Sequence, residues 1–112
     1  MGIVGDLRCD QNDSLLVTDQ VVDANGLPVD ITDWSIRMTF HRNAGDTTAI
    51  ISYTTGGGGI VIPVGTDGVL QVTIPNADVR KLPTSYSHWS IARTDAGQEA
   101  GLSRGLIWVE PV

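Results

Sequence analysis

Residues 34–41, WSIRMTFH, carry the strongest periodic signal in this chain and decide its fold class. The even positions hold the larger apolar side chains, Trp34, Ile36, Met38 and Phe40. The odd positions hold polar side chains, Ser35, Arg37, Thr39 and His41. Because successive side chains of a β-strand point to opposite faces, this alternation predicts a strand with one buried and one solvated face. For the same reason we expect Trp34 to lie in the core.

Similar runs recur on both sides of this segment. Leu70, Val72 and Ile74 form another alternating set, and turn residues such as Asn25-Gly26 separate the runs. Strands are predicted near residues 3–9, 14–22, 34–42, 47–54, 59–62, 68–74, 85–94 and 102–110. Turn signals at this spacing favour an all-β sandwich or barrel. Residues 76–82 lack the alternation and predict one short helical turn, which Asn76 caps and Pro83 ends.

The composition is that of an ordinary globular domain. With 112 residues, the chain fits a single domain over residues 1–112, and residues 1–9 are expected to form an extended N-terminal arm or an edge strand. No apolar stretch is long enough to span a membrane, and the N-terminus lacks the features of a signal peptide. The lone Cys9 has no partner for an intramolecular disulfide, so we expect maturation in a cytosol.

The charge pattern argues against two classes of partner. The net charge is −6, and the seven Lys and Arg residues are scattered along the chain. A nucleic-acid surface needs a clustered positive patch that displaces counterions, and docking on an anionic membrane needs one too. We therefore expect neither nucleic acid nor membrane as a partner. The acids Asp19, Asp23, Asp30 and Asp33 are interpreted as turn and loop residues.

The glycine run TGGGGIVI, residues 55–62, resembles a phosphate-binding loop only superficially. A phosphate loop needs a following Lys and a helix, and a dinucleotide fingerprint needs a helix. Here the β-branched residues Ile60, Val61 and Ile62 follow the glycines, which indicates a strand. The run is therefore predicted to be a loose connection into a strand, and a glycine loop of this kind can mould to a partner surface.

The motif GLSRG, residues 101–105, matches the Gly-x-Ser-x-Gly nucleophile elbow of α/β-hydrolases. That elbow is a strand-to-helix turn, whereas residues 106–109 here predict a strand, and no His follows Ser103. Neither His41 nor His88 has an acid at a catalytic or metal-ligand spacing. Residues 10–15 begin like a calcium loop, but Leu15 stands where the glycine is required. We expect no catalytic residues, no metal and no cofactor.

The last predicted strand is apolar on both faces. Ile107 and Val109 share one face, so Leu106 and Trp108 point the other way. Either the N-terminal segment MGIV covers these two side chains, or they form an exposed interaction patch, for which Trp is well suited. The candidate contact residues are Leu106 and Trp108, the glycine run Gly56, Gly57, Gly58 and Gly59, and Gly2, Ile3 and Val4 of the N-terminal arm.

Three stretches resemble a pattern found in small proteins of tailed bacteriophages and prophages. They are VVDANGLPVDITDWSIRMTFHR (residues 21–42), GVLQVTIPNADVRKLPTSYSHWSIARTD (residues 68–95) and RGLIWVEP (residues 104–111). Over residues 12–111 the chain is similar to the N-terminal domain family of the phage baseplate upper protein. That resemblance implies an immunoglobulin-like β-sandwich in a virion part, an adaptor that attaches receptor-binding proteins or fibres to the tail or baseplate.

Together these observations predict an antiparallel two-sheet immunoglobulin-like β-sandwich. The resemblance implies a non-enzymatic virion protein, made in the host cytoplasm, whose partners are other virion subunits and copies of itself. We expect the domain to be the whole chain, with no fibre segment after it, and this expectation raises a second role as a capsid decoration protein. A carbohydrate-binding module is an alternative of another class, and it requires Trp34, Trp89 or Trp108 in an exposed aromatic platform.

Overall fold

A computed structural model describes residues 6–43 and 45–111. Within these ranges the chain forms eight strands, one 3₁₀ turn over Gly65–Asp67 and one short helix, α1, over Asn76–Val79. The strands are β1 (Leu7–Asp10), β2 (Leu15–Gln20), β3 (Ile36–His41), β4 (Ile51–Thr54), β5 (Ile60–Val64), β6 (Val69–Ile74), β7 (Tyr86–Arg93) and β8 (Ala100–Glu110). The predicted strands and the helical turn are confirmed among the described residues, with shifts of a few residues at their ends, and residues 3–5 of the first predicted strand lie outside these residues.

The strands are divided between two packed sheets. One sheet has the order β1-β8-β7-β3-β4, and the other has the order β2-β6-β5. With β1 and β4 set aside as added strands, the division matches the immunoglobulin sandwich: β3, β7 and β8 take the places of strands C, F and G, and β2, β5 and β6 take the places of B, D and E. The all-β sandwich is therefore confirmed. One pair departs from the antiparallel expectation, because β1 runs parallel to β8, with Leu7 beside Ile107.

The core lies between the two sheets and follows the predicted alternation. Its largest fully buried side chains include Trp89, Phe40, Met38, Ile36, Ile91 and Leu70. Trp34 differs from the prediction because β3 begins only at Ile36. Asp33, just before it, has a positive φ of 66°, and the Trp34 ring is half-buried at the margin of the core. The Arg93 guanidinium covers that ring at 4.0 Å from its centroid.

The helical turn α1 is anchored by side chains rather than by the expected cap. Asn76 does not cap it: the turn starts after Pro75, and the Asn76 amide instead donates to the Gln11 carbonyl at 3.3 Å. The Tyr53 hydroxyl donates to Asp78 Oδ2 at 2.7 Å, and Lys81 Nζ lies 3.1 Å from Asp78 Oδ1. These contacts attach the connection between β6 and β7 to the edge strand β4.

The glycine run forms a hydrogen-bonded turn that takes the chain from β4 in one sheet to β5 in the other. The Gly57 N–H donates to Thr54 Oγ1 at 2.6 Å, and the Gly58 N–H donates to the Thr54 carbonyl at 3.0 Å. Gly59 has a φ of 94°, and a Cβ there would lie 2.5 Å from Cδ1 of Tyr53. The run leads into a strand as predicted, but these contacts replace the loose loop that the sequence suggests.

Substitution in this turn should show which glycine the fold requires. Gly59→Ala should lower the free energy of unfolding by about 2–4 kcal/mol, because it combines a left-handed backbone with a steric overlap against Tyr53. Gly56→Ala is the matched control, since a Cβ there meets nothing within 4 Å and the position should tolerate it within about 0.5 kcal/mol. Urea unfolding of the two variants measures the difference, and equal losses would contradict the packing argument.

The hydrogen bond between Tyr53 and Asp78 should make the free energy of unfolding depend on pH. The Tyr53 hydroxyl and then Lys81 hold the pKa of Asp78 below its ordinary value, against the opposing effect of burial. A carboxyl with a lowered folded pKa stabilises the native state above the unfolded pKa, which is about 3.9, and loses that contribution as pH falls. Asp78→Asn should therefore be less stable than wild type at about pH 5, and the gap should close towards about pH 2. Tyr53→Phe should likewise be less stable than wild type at about pH 5 and should approach wild type towards about pH 2. If the free energy of unfolding of either variant instead runs parallel to that of wild type over this pH range, the Tyr53–Asp78 bond is not the source of the pH dependence.

Candidate interaction surface

The outward-facing side of the five-stranded sheet, called the outer face below, carries the predicted residues Leu106 and Trp108. In β8, Ile107 and Val109 are fully buried, so their neighbours in the strand point away from the core. In β7, the buried residues Ser87, Trp89 and Ile91 leave the alternate side chains facing outward in the same way. The outer face includes Arg8, Arg37, Thr39, His41, Tyr86, His88, Ser90, Arg104, Leu106, Trp108 and Glu110.

An aromatic pair dominates one end of this face. Tyr86 and Trp108 are directly opposite each other in the antiparallel pairing of β7 and β8. Their ring centroids are 4.5 Å apart and the rings are inclined by 62°. Tyr86 is 57% exposed although it is a large aromatic side chain, and Trp108 is half-buried. We call Tyr86, Leu106 and Trp108 the aromatic patch.

An ion pair borders the aromatic patch at the sheet edge. Arg8 of β1 lies beside Trp108, and its Nη2 atom is 2.6 Å from Oε1 of Glu110. This contact with Arg8, followed by the nearby Trp108 indole, lowers the pKa of the Glu110 carboxyl. The indole N–H is shielded from water but has no acceptor at hydrogen-bond geometry among the described residues. Both charged side chains are solvated, so the pair orients this border more than it stabilises the fold.

The sequence left open whether Leu106 and Trp108 are covered by another part of the chain or exposed to solvent, and in the structure they are partly covered. Both are half-buried, and the flanking side chains Tyr86 and Arg8 come from the neighbouring strands. Cover by the N-terminal segment falls outside the described residues, as do the candidate contact residues Gly2, Ile3 and Val4. The aromatic patch is thus partly ordered by its neighbours and still presents Tyr86 to solvent.

The glycine run and the aromatic patch do not lie together. Residues 56–59 are exposed and follow β4, which forms the sheet edge opposite to β1. Between β8 and β4 lie β7 and β3, which separates these two strands by about 14 Å, and the register places Thr54 and Trp108 towards opposite ends of β7, at Ala92 and Tyr86. The glycine run would therefore make a separate contact from the one that Leu106 and Trp108 make.

An open groove of about 560 Å³ lies next to the aromatic patch on the outer face. Its lining includes both histidines, which are directly opposite each other on β3 and β7, together with Asp46, Ser90, Arg104 and Leu106. His41 is held by its surroundings: Nδ1 lies 3.3 Å from the Thr48 carbonyl, and Nε2 lies 3.2 Å from Thr39 Oγ1. Because a carbonyl only accepts, Nδ1 donates. Sequence alternation places His41 on the solvated face and leaves the face of His88 open, and strand register brings the two histidines together on the outer face.

Ser103, the centre of the apparent nucleophile elbow, has a structural partner. It lies within β8, where the elbow requires a strand-to-helix turn. Its hydroxyl donates to Oδ2 of Asp19 at 2.6 Å, and Asp19 is only 1% exposed. This bond joins β8 of one sheet to β2 of the other. Both histidines lie on the opposite, outer face of the sheet, away from Ser103.

Asp19 corrects an interpretation made from the sequence. It is not a turn acid: it lies in β2 on the same face as the buried Val17. Its Oδ1 accepts a hydrogen bond from the Gln20 N–H at 2.9 Å. A charged residue at a core-facing strand position is the signal that sequence reasoning overlooked, because such a group stays buried only with polar partners.

Metal binding, sugar binding and membrane insertion find little support among the described residues. No group of three or more His, Cys, Asp or Glu side chains in residues 6–43 and 45–111 is arranged to hold a metal ion. Trp89 is buried, Arg93 covers Trp34, and the inclined rings of Tyr86 and Trp108 do not form a flat platform for a sugar. Among the described helices, none is long and apolar enough to cross a membrane.

No family model and no curated protein matches this chain. Among solved structures, the N-terminal domain of ORF48 from phage TP901-1 is similar over 96% of this chain and 84% of that one. The TM-score is 0.55 and the sequence identity is 13%, so the likeness concerns the fold. The chain is thus an all-β sandwich with the fold of a phage protein domain.

The buried bond of Ser103 should contribute to stability. Ser103→Ala removes the donor to a buried carboxylate and should lower the free energy of unfolding by about 1–3 kcal/mol. Ser52→Ala, at an exposed position of β4, should change it by less than about 0.5 kcal/mol. Thermal or urea unfolding measures both values. A Ser103→Ala protein as stable as the Ser52→Ala protein would contradict the role of this bond in joining the sheets.

Proposed function

We propose that this protein is a non-enzymatic structural component of a bacteriophage particle. In this proposal it acts as an adaptor in the tail, baseplate or fibre through protein–protein contacts. Two likenesses support it: the sequence resemblance to the baseplate upper protein N-terminal domain family, and the fold shared with a domain of phage TP901-1 ORF48. The observation that supports a contact role is the aromatic patch, an apolar surface on the outer face to which another protein can bind.

The aromatic patch has the properties of a docking site. Tyr and Trp are the residue types most enriched among those that contribute strongly to binding, and here they lie side by side on a sheet face. Their mutual contact restricts both rings before binding, which reduces the conformational entropy lost when a partner docks. The Arg8–Glu110 pair forms a polar border next to them. A partially buried apolar centre with a polar border is the usual anatomy of an interface.

Docking through the sheet face is favoured over addition of a strand at a sheet edge. The five-stranded sheet ends in β1 and β4, which have only four residues each. Pro63 interrupts the ladder of β5, an edge of the three-stranded sheet. Short edges and an edge proline both limit pairing with a further strand. The outer face spans five strands and is broader than these edges.

The proposal includes the location and the partners. The protein would be made in the cytoplasm of the bacterial host and incorporated into the virion, where other virion proteins contact the aromatic patch. Repeated copies in a symmetric particle would raise the overall affinity without any further contact, because each copy docks at high effective concentration. We therefore expect a homo-oligomeric arrangement within the particle.

Removing the indole should weaken assembly while leaving the sandwich folded. Trp108→Ala deletes the centre of the aromatic patch and should reduce the affinity for particles by about 30-fold, the effect expected of a residue worth about 2 kcal/mol at an interface. The measurement is the amount of protein that co-sediments with phage particles depleted of the native copy. Mass spectrometry of separated heads and tails then identifies the virion part.

Leu16→Ala is the matched control for this experiment. Leu16 is 59% exposed and lies on the outward side of the three-stranded sheet, so its loss removes exposed apolar surface from the opposite side of the molecule. Its particle binding should equal that of wild type. Absence of the wild-type protein from particles would refute the virion role. Equal binding by wild type, Trp108→Ala and Leu16→Ala would instead show that the contact lies elsewhere on the molecule.

A further inference from the structure

We propose that the groove beside the aromatic patch binds a carboxylate group on an acidic segment of the partner protein. This inference rests on the proposed function, because it names the chemistry of the partner that the outer face would contact. The groove is lined by His88, Ser90 and Arg104 of β7 and β8, with Leu106 on the side of the aromatic patch.

Arg104 is the cation of the groove. It is exposed on the outer face, and within residues 6–43 and 45–111 it makes no ion pair. The paired basic side chains of the described chain are Arg8, Lys81 and Arg93, each with its own carboxylate. The guanidinium of Arg104 therefore keeps its five N–H donors available, in a planar fork that fits the two oxygens of a carboxylate.

His88 provides a second donor beside Arg104. Ser90 is directly opposite Arg104, and His88 is two residues earlier in β7, so His88 and Arg104 are diagonal neighbours on one face. Such neighbours are separated by about 7–8 Å, close enough for both side chains to reach one carboxylate. The described part of the chain supplies no hydrogen-bond partner for the His88 ring, whereas His41 has both ring nitrogens engaged.

The floor of the groove is fixed in place. Ser90 Oγ lies 3.0 Å from Thr39 Oγ1, and Thr39 Oγ1 in turn lies 3.2 Å from His41 Nε2. Since His41 Nδ1 donates to a carbonyl, a neutral ring accepts at Nε2 from the Thr39 hydroxyl, and Ser90 then donates to Thr39. This chain of bonds connects β3 to β7 and holds the polar floor without ligand, so binding requires little rearrangement.

The charge balance selects a carboxylate over other anions. Arg104 is the one permanent cation among the lining residues, and Asp46 adds a negative charge to the opposite wall. A single cation matches a single carboxylate through two parallel N–H···O bonds, whereas a nucleic-acid backbone needs a cluster of cations. Arg104 thus places a permanent positive charge in a groove of a chain whose net charge is −6.

The groove and the aromatic patch lie in one line along β8. Arg104 and Trp108 are four residues apart, which corresponds to about 13 Å in a strand. Leu106 lies between them on the same face. An extended partner segment of about five residues therefore spans both, with an apolar side chain against Trp108 and an acidic side chain at Arg104.

The probe for this inference is a blocked triglutamate peptide, with a blocked triglutamine peptide as the uncharged comparison. We expect triglutamate, on the order of millimolar affinity, to shift the backbone amide resonances of residues 88–90 and 104–106 of the folded full chain. Triglutamine should leave them unchanged. Arg104→Gln should weaken triglutamate binding about tenfold, since it removes a charge-assisted bidentate contact.

Arg37→Gln is the matched control. Arg37 is an exposed arginine on the outer face of β3, and it lines a different depression with Ala92 and Glu99. Its substitution removes the same charge and should leave triglutamate binding unchanged. Equal weakening by the two substitutions would mean that only the overall charge matters, which overturns the proposal. The absence of any shift in the wild-type spectrum at 10-fold the expected Kd, on the order of 10 mM peptide, would also overturn it.

Co-sedimentation with particles separates this inference from the proposed function. If the wild-type chain enters particles and Arg104→Gln enters equally well, the virion role stands and the carboxylate site is refuted. If the wild-type chain does not enter particles, the proposed function fails whatever the peptide does. The joint expectation is that Arg104→Gln loses triglutamate binding and particle affinity together, while Arg37→Gln retains both.

Discussion

The packing of Trp89 against Gly105 is the contact on which the arrangement of the outer face depends. The Trp89 indole lies in the core directly over Gly105, and its Nε1 atom donates to the Leu106 carbonyl at 3.2 Å. A Cβ at position 105 would lie 3.0 Å from Nε1, so a larger residue there would displace the ring. Because a shift of one residue turns every side chain to the other face, this contact holds β7 and β8 in one register. That register places Tyr86 opposite Trp108 and Ser90 opposite Arg104.

The same strand shows how a structural need can imitate a catalytic motif. Gly105 is small because Trp89 occupies the space beside it, and Ser103 is polar because its hydroxyl meets the buried Asp19. Two unrelated packing requirements thus account for two of the three positions of the nucleophile-elbow pattern, while a Cβ at Gly101 would meet nothing within 4 Å. A motif of this kind implies chemistry only when the backbone around it has the turn that the chemistry requires.

The features of the outer face combine into one view of how the protein would work. The two sheets enclose a core that contains Phe40 and Trp89, and this core supports a face whose side chains are held by cross-strand contacts. Tyr86 and Trp108 supply apolar contact area at one end, and Arg104 with His88 supplies hydrogen-bond donors in the adjoining groove. A rigid face with apolar and polar parts side by side suits an adaptor, because affinity and orientation come from different groups on the same surface.

The sequence by itself determined the fold class and most strand positions, since alternation and turn chemistry are local properties that follow from the geometry of a pleated strand. It also placed Leu106 and Trp108 on a common outward face. Only the tertiary structure decided what lies beside them: the parallel contact of β1 with β8, the aromatic pair, the groove between β3 and β8, and the bond from Ser103 to Asp19. These features join residues up to about a hundred positions apart, and their partners depend on strand order and register, which local periodicity does not encode.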